Sequence, residues 1–125
     1  MQREAISTDK APGAIGPYSQ AVRVGDLLFC SGQIPLTPTG GMVAGDIRAQ
    51  TEQVMQNIEG LLGAAGLGFA NVVKTTIFLS SMDHFAAVNE VYGSRFPSAP
   101  PARSTVAVAG LPRGVDVEIE VIASY

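Results

Sequence analysis

Val72-Val73-Lys74-Thr75-Thr76-Ile77-Phe78-Leu79-Ser80-Ser81-Met82-Asp83-His84-Phe85 changes character in its middle. The first half is rich in β-branched and aromatic residues, which suit a pleated surface, and predicts a strand over 72–79. Ser80 and Asp83 then make an S-x-x-D cap, the mark of a helix start, leading into Phe85, Val88 and Tyr92 at helical spacing. Upstream, from Asp46 as N-cap, apolar residues recur at Ile47, Val54, Met55, Ile58, Leu61, Leu62 and Ala65, one buried face of a first helix. Before it, Val22-Arg23-Val24 and Leu27-Leu28-Phe29-Cys30-Ser31 read as a hairpin turning at Gly25-Asp26. Downstream, Pro97, Pro100 and Pro101 forbid continuation of the second helix, and Ser104 to Val108 and Val115 to Ile122 read as strands. Strands, helix, strand, helix and strands in that order specify an α+β fold, a mixed sheet with two helices on one face. The other face then needs cover, which sister subunits can supply.

No repeat, linker or low-complexity tract divides the 125 residues, so 1–125 is expected to be a single unit. Charged residues make up 15% of the chain, against about 25% in ordinary soluble domains, and mean hydropathy is +0.25, which again points to oligomerisation. The net charge of −3 is the wrong sign for a dedicated phosphate-backbone binder and disfavours nucleic acid as a partner. One cysteine and one histidine exclude an internal disulfide and disfavour a metal site, and no cofactor motif is expected. No stretch has the makings of a signal peptide or a membrane span, so the protein is expected to be soluble and cytoplasmic, with no membrane partner.

Several tempting signals fail. Gly60, Gly63, Gly66 and Gly68 follow a helix instead of opening one, which suits helix packing and C-capping better than a phosphate loop. Cys30, within Leu-Leu-Phe-Cys, reads as a small core residue, and His84 as a helix-surface residue. No G-x-S-x-G elbow supports serine hydrolase chemistry.

Four stretches put polar groups beside rigid backbone: Gly13 to Gln20, Ser31-Gly32-Gln33-Ile34-Pro35, Pro100-Pro101-Ala102-Arg103-Ser104, and Val117-Glu118-Ile119-Glu120-Val121. Two prolines and small neighbours give the Arg103 guanidinium room to meet a planar anion through two parallel hydrogen bonds; a salt bridge or a solvated arginine is the competing reading. In the last strand Val115, Val117, Ile119 and Val121 share one face, and Asp116, Glu118, Glu120 and Ile122 the other. That second face is either solvated or functional, with Glu118 nearest mid-strand.

Taken together and in order, Ile15 to Gln20, Ser31 to Pro35, Val73-Lys74-Thr75-Thr76, Val88-Asn89, Pro101 to Ser104 and Glu118-Ile119-Glu120 resemble the reactive intermediate deaminase family, the YjgF-type enamine and imine deaminases. The resemblance covers nearly the whole chain. It implies a chorismate-mutase-like fold, a homotrimer with a central barrel, and active sites in clefts between subunits. It implies as substrates 2-aminoacrylate and 2-aminocrotonate with their imino tautomers, hydrolysed to 2-keto acids and ammonia. Arg103 matches the arginine that binds the substrate carboxylate, and Glu118 the glutamate that positions water. Tyr18, Ser31, Gly32 and Asn89 match residues lining the cleft. Thr105, also placed at the substrate, departs from the cysteine many relatives carry.

These expectations give a mechanism: Arg103 anchors the carboxylate, Ser31-Gly32 offers polar backbone groups, Glu118 relays a proton, and Tyr18 closes the pocket from an adjacent subunit. A buried Arg103 would gain a partner on anion binding. Orientation and one proton relay suffice for so labile a substrate, without metal or cofactor. The resemblance also admits an RNA-directed reading, translation inhibition with ribonuclease activity, and a non-catalytic one, a trimer that binds small carboxylates.

Overall fold

The computed structural model describes residues 2–125. Six strands and two helices follow in the order β1 (Arg3–Ile6), β2 (Ala21–Val24), β3 (Leu27–Gln33), α1 (Ile47–Ala64), β4 (Val72–Leu79), α2 (Phe85–Gly93), β5 (Ala102–Ala107) and β6 (Val117–Ser124). They form one mixed sheet ordered β1-β2-β3-β6-β4-β5, in which only the β4–β5 pair is parallel. The parallel pair follows from its connection, since α2 carries the chain back over the sheet.

Both helices pack on one face. Val54, Met55, Ile58, Leu61 and Leu62 of α1 and Val88 and Tyr92 of α2 are buried against Leu28, Ile77, Leu79, Val117, Ile119, Val121 and Ala123 of the sheet. Asp46 caps α1 as its sequence predicts, its carboxylate accepting from the Ala49 amide at 2.9 Å. At the far end Gly66, at φ +77°, completes a Schellman turn, with the Leu67 amide donating to the Leu62 carbonyl and that of Gly66 to Gly63. Gly60 lies against the Lys10 carbonyl, where a methyl group would overlap it. Packing and capping therefore account for these two glycines.

The cap of the second helix is displaced by one residue from expectation. Ser81, not Ser80, accepts from the Asp83 amide at 3.1 Å and opens a 3-10 turn, Met82–His84, ahead of α2. Ser80 instead donates to Asp116 at 2.8 Å, because β4 ends beside the start of β6. Strand β1 was not among the expected elements.

The opposite face has no helix. Leu27, Phe29 and Val106 are exposed there, with Phe78 and Ile122 half-buried beside them. Among the described residues no helix is long and apolar enough to cross a membrane.

Asn57 is fully buried on the apolar face of α1. Its amide donates to the carbonyls of Ile34 at 3.2 Å and Leu36 at 2.8 Å, tying the segment that leaves β3 to the helix. Asn57→Ala orphans those carbonyls and is expected to cost about 1–3 kcal/mol, read as a lower urea midpoint with unchanged slope.

Candidate active site

Glu118 stands on the outer face of β6, in register with Phe78 of β4. On its other side the β3–β6 ladder breaks between Cys30 and Gln33, so Ser31 and Gly32 leave regular pairing. Bulges of this kind re-aim groups beside functional sites. Gly32 lies so close to the carboxyl that a β-carbon there would overlap Glu118 Oε2. Any other residue at this position would push the Glu118 carboxyl from its place, so glycine serves here by close approach, not by its φ.

The carboxyl opens into a cavity of about 480 Å³ that Ile15, Tyr18, Ser31, Gly32 and Arg113 also line. Burial, and then the neighbouring Glu120 carboxylate, holds the Glu118 carboxyl above the ordinary glutamate range. That brings a proton acceptor nearer neutral pH, where general bases work best.

The wall over this cavity is stapled by Gln20, whose amide nitrogen donates to the carbonyls of Thr8 at 3.1 Å and Pro12 at 2.8 Å while its oxygen accepts from the Thr8 amide at 2.8 Å. Ser31 joins the same staple. Its amide donates to the Gln20 carbonyl at 2.9 Å and its hydroxyl to the Ser19 carbonyl at 2.6 Å. Both donors of Ser31 thus hold the wall in place.

Arg103 belongs to a second cavity, of about 450 Å³, lined by Asn89, Tyr92, Gly93, Phe96, Pro100 and Pro101. Its register partner on β4 is Thr75, an inward-facing residue, so Arg103 points to the helical side of the sheet. Nη1 donates to Asn89 Oδ1 at 2.6 Å, and the guanidinium carbon lies 5.5 Å from the Phe85 ring centre and 5.2 Å from that of Tyr92. Among the described residues no carboxylate pairs with it. Arg103 is exposed in the chain, because β5 is an edge strand. Thr105 shares its face, with a buried Oγ1 that has no partner among the described residues.

The structure thus groups Tyr18, Ser31, Gly32 and Glu118 at one cavity and Asn89 and Arg103 at another. Arg103 and Glu118 lie on opposite faces of the sheet, with β4 between their strands. Tyr18 sits beside Glu118 in the same chain, so whatever brings Tyr18 to Arg103 brings Glu118 with it.

The other candidates resolve simply. Asp116 accepts from Ser80 and Gln50 and lies 3.9 Å from His84 Nε2, a structural cluster at the start of β6. Cys30 is buried, its thiol pushed up to about 12 by loss of solvent. Two features were not anticipated: the Gln20 staple, and the aromatic flanks of Arg103. Phe85, Asn89 and Tyr92 do follow one another at i, i+4 and i+7, the spacing that puts them on one helix face.

A mixed six-stranded sheet layered by two helices on one side makes this an α+β domain, with Glu118 and Arg103 lining separate cavities on it. The family model described as endoribonuclease L-PSP matches residues 8–125. Protein DfrA of Myxococcus xanthus is 59% identical, over 98% of this chain and 96% of that protein. The 2-iminobutanoate/2-iminopropanoate deaminase of Mus musculus is 50% identical, over 97% and 90%. The crystal structure of the Rid family protein YyfA from Yersinia pestis superposes with a TM-score of 0.96 at 48% identity, over 99% of this chain and 100% of that one. The chain belongs to the reactive intermediate deaminase family, the Rid or YjgF family.

Because the folded chain holds the Glu118 proton more tightly than the unfolded chain, this group's contribution to stability is full below the unfolded pKa and lost as pH rises through the folded one. Glu118→Gln is therefore expected to raise Tm at about pH 8, with the gain closing toward about pH 4, below the ordinary glutamate value near 4.3. Thermal unfolding of both proteins across that range checks it.

Proposed function

We propose that the protein hydrolyses 2-imino acids, including 2-iminobutanoate and 2-iminopropanoate formed from their enamines, to 2-keto acids and ammonia. The site is assembled between neighbouring chains of a homotrimer. The observation that carries this reading is the division just described: a planar cation without a carboxylate partner on one face and a carboxyl of raised pKa on the other, each in its own open half-site. The bare outer face with Leu27, Phe29 and Val106 supplies a surface through which chains can join. The name of the mouse relative supports the substrate class.

In the assembled cleft the remaining Arg103 nitrogens bind the substrate carboxylate in parallel, with Asn89 engaging Nη1. The imine carbon then lies against a water held by the neighbour's Glu118. Glu118 takes a proton from the water as its oxygen bonds to carbon and delivers it to the imine nitrogen, giving a carbinolamine and restoring the carboxylate. The carbinolamine hydroxyl then loses its proton to Glu118, which passes one to nitrogen. The carbon–nitrogen bond breaks, releasing ammonia and the 2-keto acid. Tyr18 covers the cleft on the Glu118 side. Positioning and one relay of about 10²–10⁴-fold supply the acceleration.

Coupling a threonine dehydratase to semicarbazide trapping measures this directly: the protein is expected to shorten the life of the imine and lower the semicarbazone yield. Arg103→Ala should abolish the effect, and Arg103→Lys should not restore it, since an ammonium lacks the two-point fork. Glu118→Gln should keep 2-oxobutanoate binding and lose about 10²–10⁴ in turnover. A wild-type rate from Arg103→Ala overturns the assignment.

Two further outcomes test the shared cleft. Phe29→Lys, on the bare outer face, is expected to yield monomers by light scattering and to remove activity although every site residue remains. Mixing unfolded Arg103→Ala and Glu118→Gln chains and refolding them together should restore activity at about a quarter of the clefts, those that pair one chain's intact Arg103 with the other's intact Glu118. A site contained in one chain regains nothing.

A further inference from the structure

The Arg103 guanidinium is held by three side chains of α2, and one of them is itself fixed from outside the cavity. Asn89 engages a single nitrogen, which leaves the guanidinium plane free to turn about that bond. The rings of Phe85 and Tyr92, at 5.5 and 5.2 Å, limit the turn, both within the distance at which a cation feels a ring face.

Tyr92 is 4% exposed, and its ring is braced by Phe96 at 4.9 Å between centres. Its phenol oxygen lies 2.8 Å from Thr75 Oγ1, a buried pair in which either group can donate. Thr75 is only 1% exposed and is the register partner of Arg103 across the β4–β5 ladder. Tyr92 therefore spans two adjacent positions of the sheet, its hydroxyl on Thr75 and its ring under Arg103. No step of the hydrolysis uses this pair.

We infer that Tyr92, keyed by its hydrogen bond to Thr75, is a positioning residue that sets the plane of the Arg103 guanidinium for two-point capture of a substrate carboxylate. The inference rests on the proposed function. Its physical content is preorganisation: a two-point bond forms only when both planes align, and a guanidinium already held in plane loses less freedom on binding. Orientation of the anchor acts on binding, whereas the proton relay at Glu118 acts on turnover, so the two leave different kinetic signatures.

The test compares Tyr92→Leu, Tyr92→Phe, Thr75→Val and the Tyr92→Phe/Thr75→Val double variant with wild type and Arg103→Ala. Three readouts are taken: the Kd for 2-oxobutanoate by calorimetry, kcat and KM for imine hydrolysis, and the Arg103 Nε–H resonance by nitrogen-15 NMR. That resonance is assigned by its loss in Arg103→Ala. Tyr92→Leu is expected to raise Kd and KM about tenfold with kcat within about twofold. The Arg103 proton should move downfield as the ring current is lost. Tyr92→Phe and Thr75→Val should each raise Kd about threefold, and the double variant no further than the larger single effect, the signature of one shared interaction.

Unchanged Kd and an unmoved Arg103 resonance in any folded variant of Tyr92 overturn the inference, as does a fall in kcat at constant KM. Should Tyr92→Leu fail to fold, the two hydroxyl deletions and their double decide the matter by the same criteria. Binding that depends on Arg103 and Tyr92 without imine hydrolysis sinks the deaminase reading and leaves the positioning role standing. Hydrolysis that needs Arg103 but is indifferent to Tyr92 does the reverse.

Discussion

Strand β6 lies between β3 and β4 near the middle of the sheet, and its period of two is the constraint on which the rest depends. Val117, Ile119, Val121 and Ala123 fill the space beneath the helices, so Glu118, Glu120 and Ile122 must take the other face. A slip of one residue would drive two carboxylates into that core and expose the apolar row, which makes the register strongly specified. The same alternation governs β5 through its pairing with β4, but there it turns Arg103 inward, toward α2. The cation and the acid are thereby sent to opposite sides of one sheet by backbone pairing alone. No rotamer change can reunite them inside a chain.

Around these two groups, buried polar side chains position the irregular segments. Gln20 gathers the carbonyls of residues 8–12, Asn57 gathers those after β3, and Thr75 meets Tyr92 beneath the sheet edge. Each is satisfied by partners on another element, so each adds direction to packing that hydrophobic burial alone leaves loose. Left-handed backbone at Ala99 and Arg113 marks the two loops that border the two cavities. Ala99 directly precedes Pro100 and Pro101, so this turn sets where β5, and with it Arg103, begins.

Periodicity made the frame legible. The hairpin at Gly25-Asp26, the stripe of α1, the β-branched run of β4 and the alternation of β6 are each written in residues whose spacing admits one reading. Strand β1 escaped because four residues at a sheet edge, exposed Arg-Glu-Ala and half-buried Ile6, carry almost no burial pattern. The start of α2 shifted because two adjacent serines offer equivalent capping hydroxyls, and only the tertiary partner Asp116 distinguishes them. Within the candidate site, residue types pointed to a carboxylate anchor and a proton acceptor, and the family resemblance to named positions. Face and partnership were hidden. Arg103 takes its direction from Thr75 on another strand, and Ser31 spends its donors on a segment twelve residues upstream. Asn57 reads as an ordinary polar interruption because its partners, the carbonyls of Ile34 and Leu36, are not marked by any local pattern.

The buried Cys30 has a consequence for chemical durability. Attack of a cysteine on a soft electrophile requires the thiolate, not the thiol. The single sulfhydryl of this chain sits in the sheet with its proton retained to about 12, and a threonine hydroxyl occupies position 105. A protein so built presents no sulfur anion to alkylating agents.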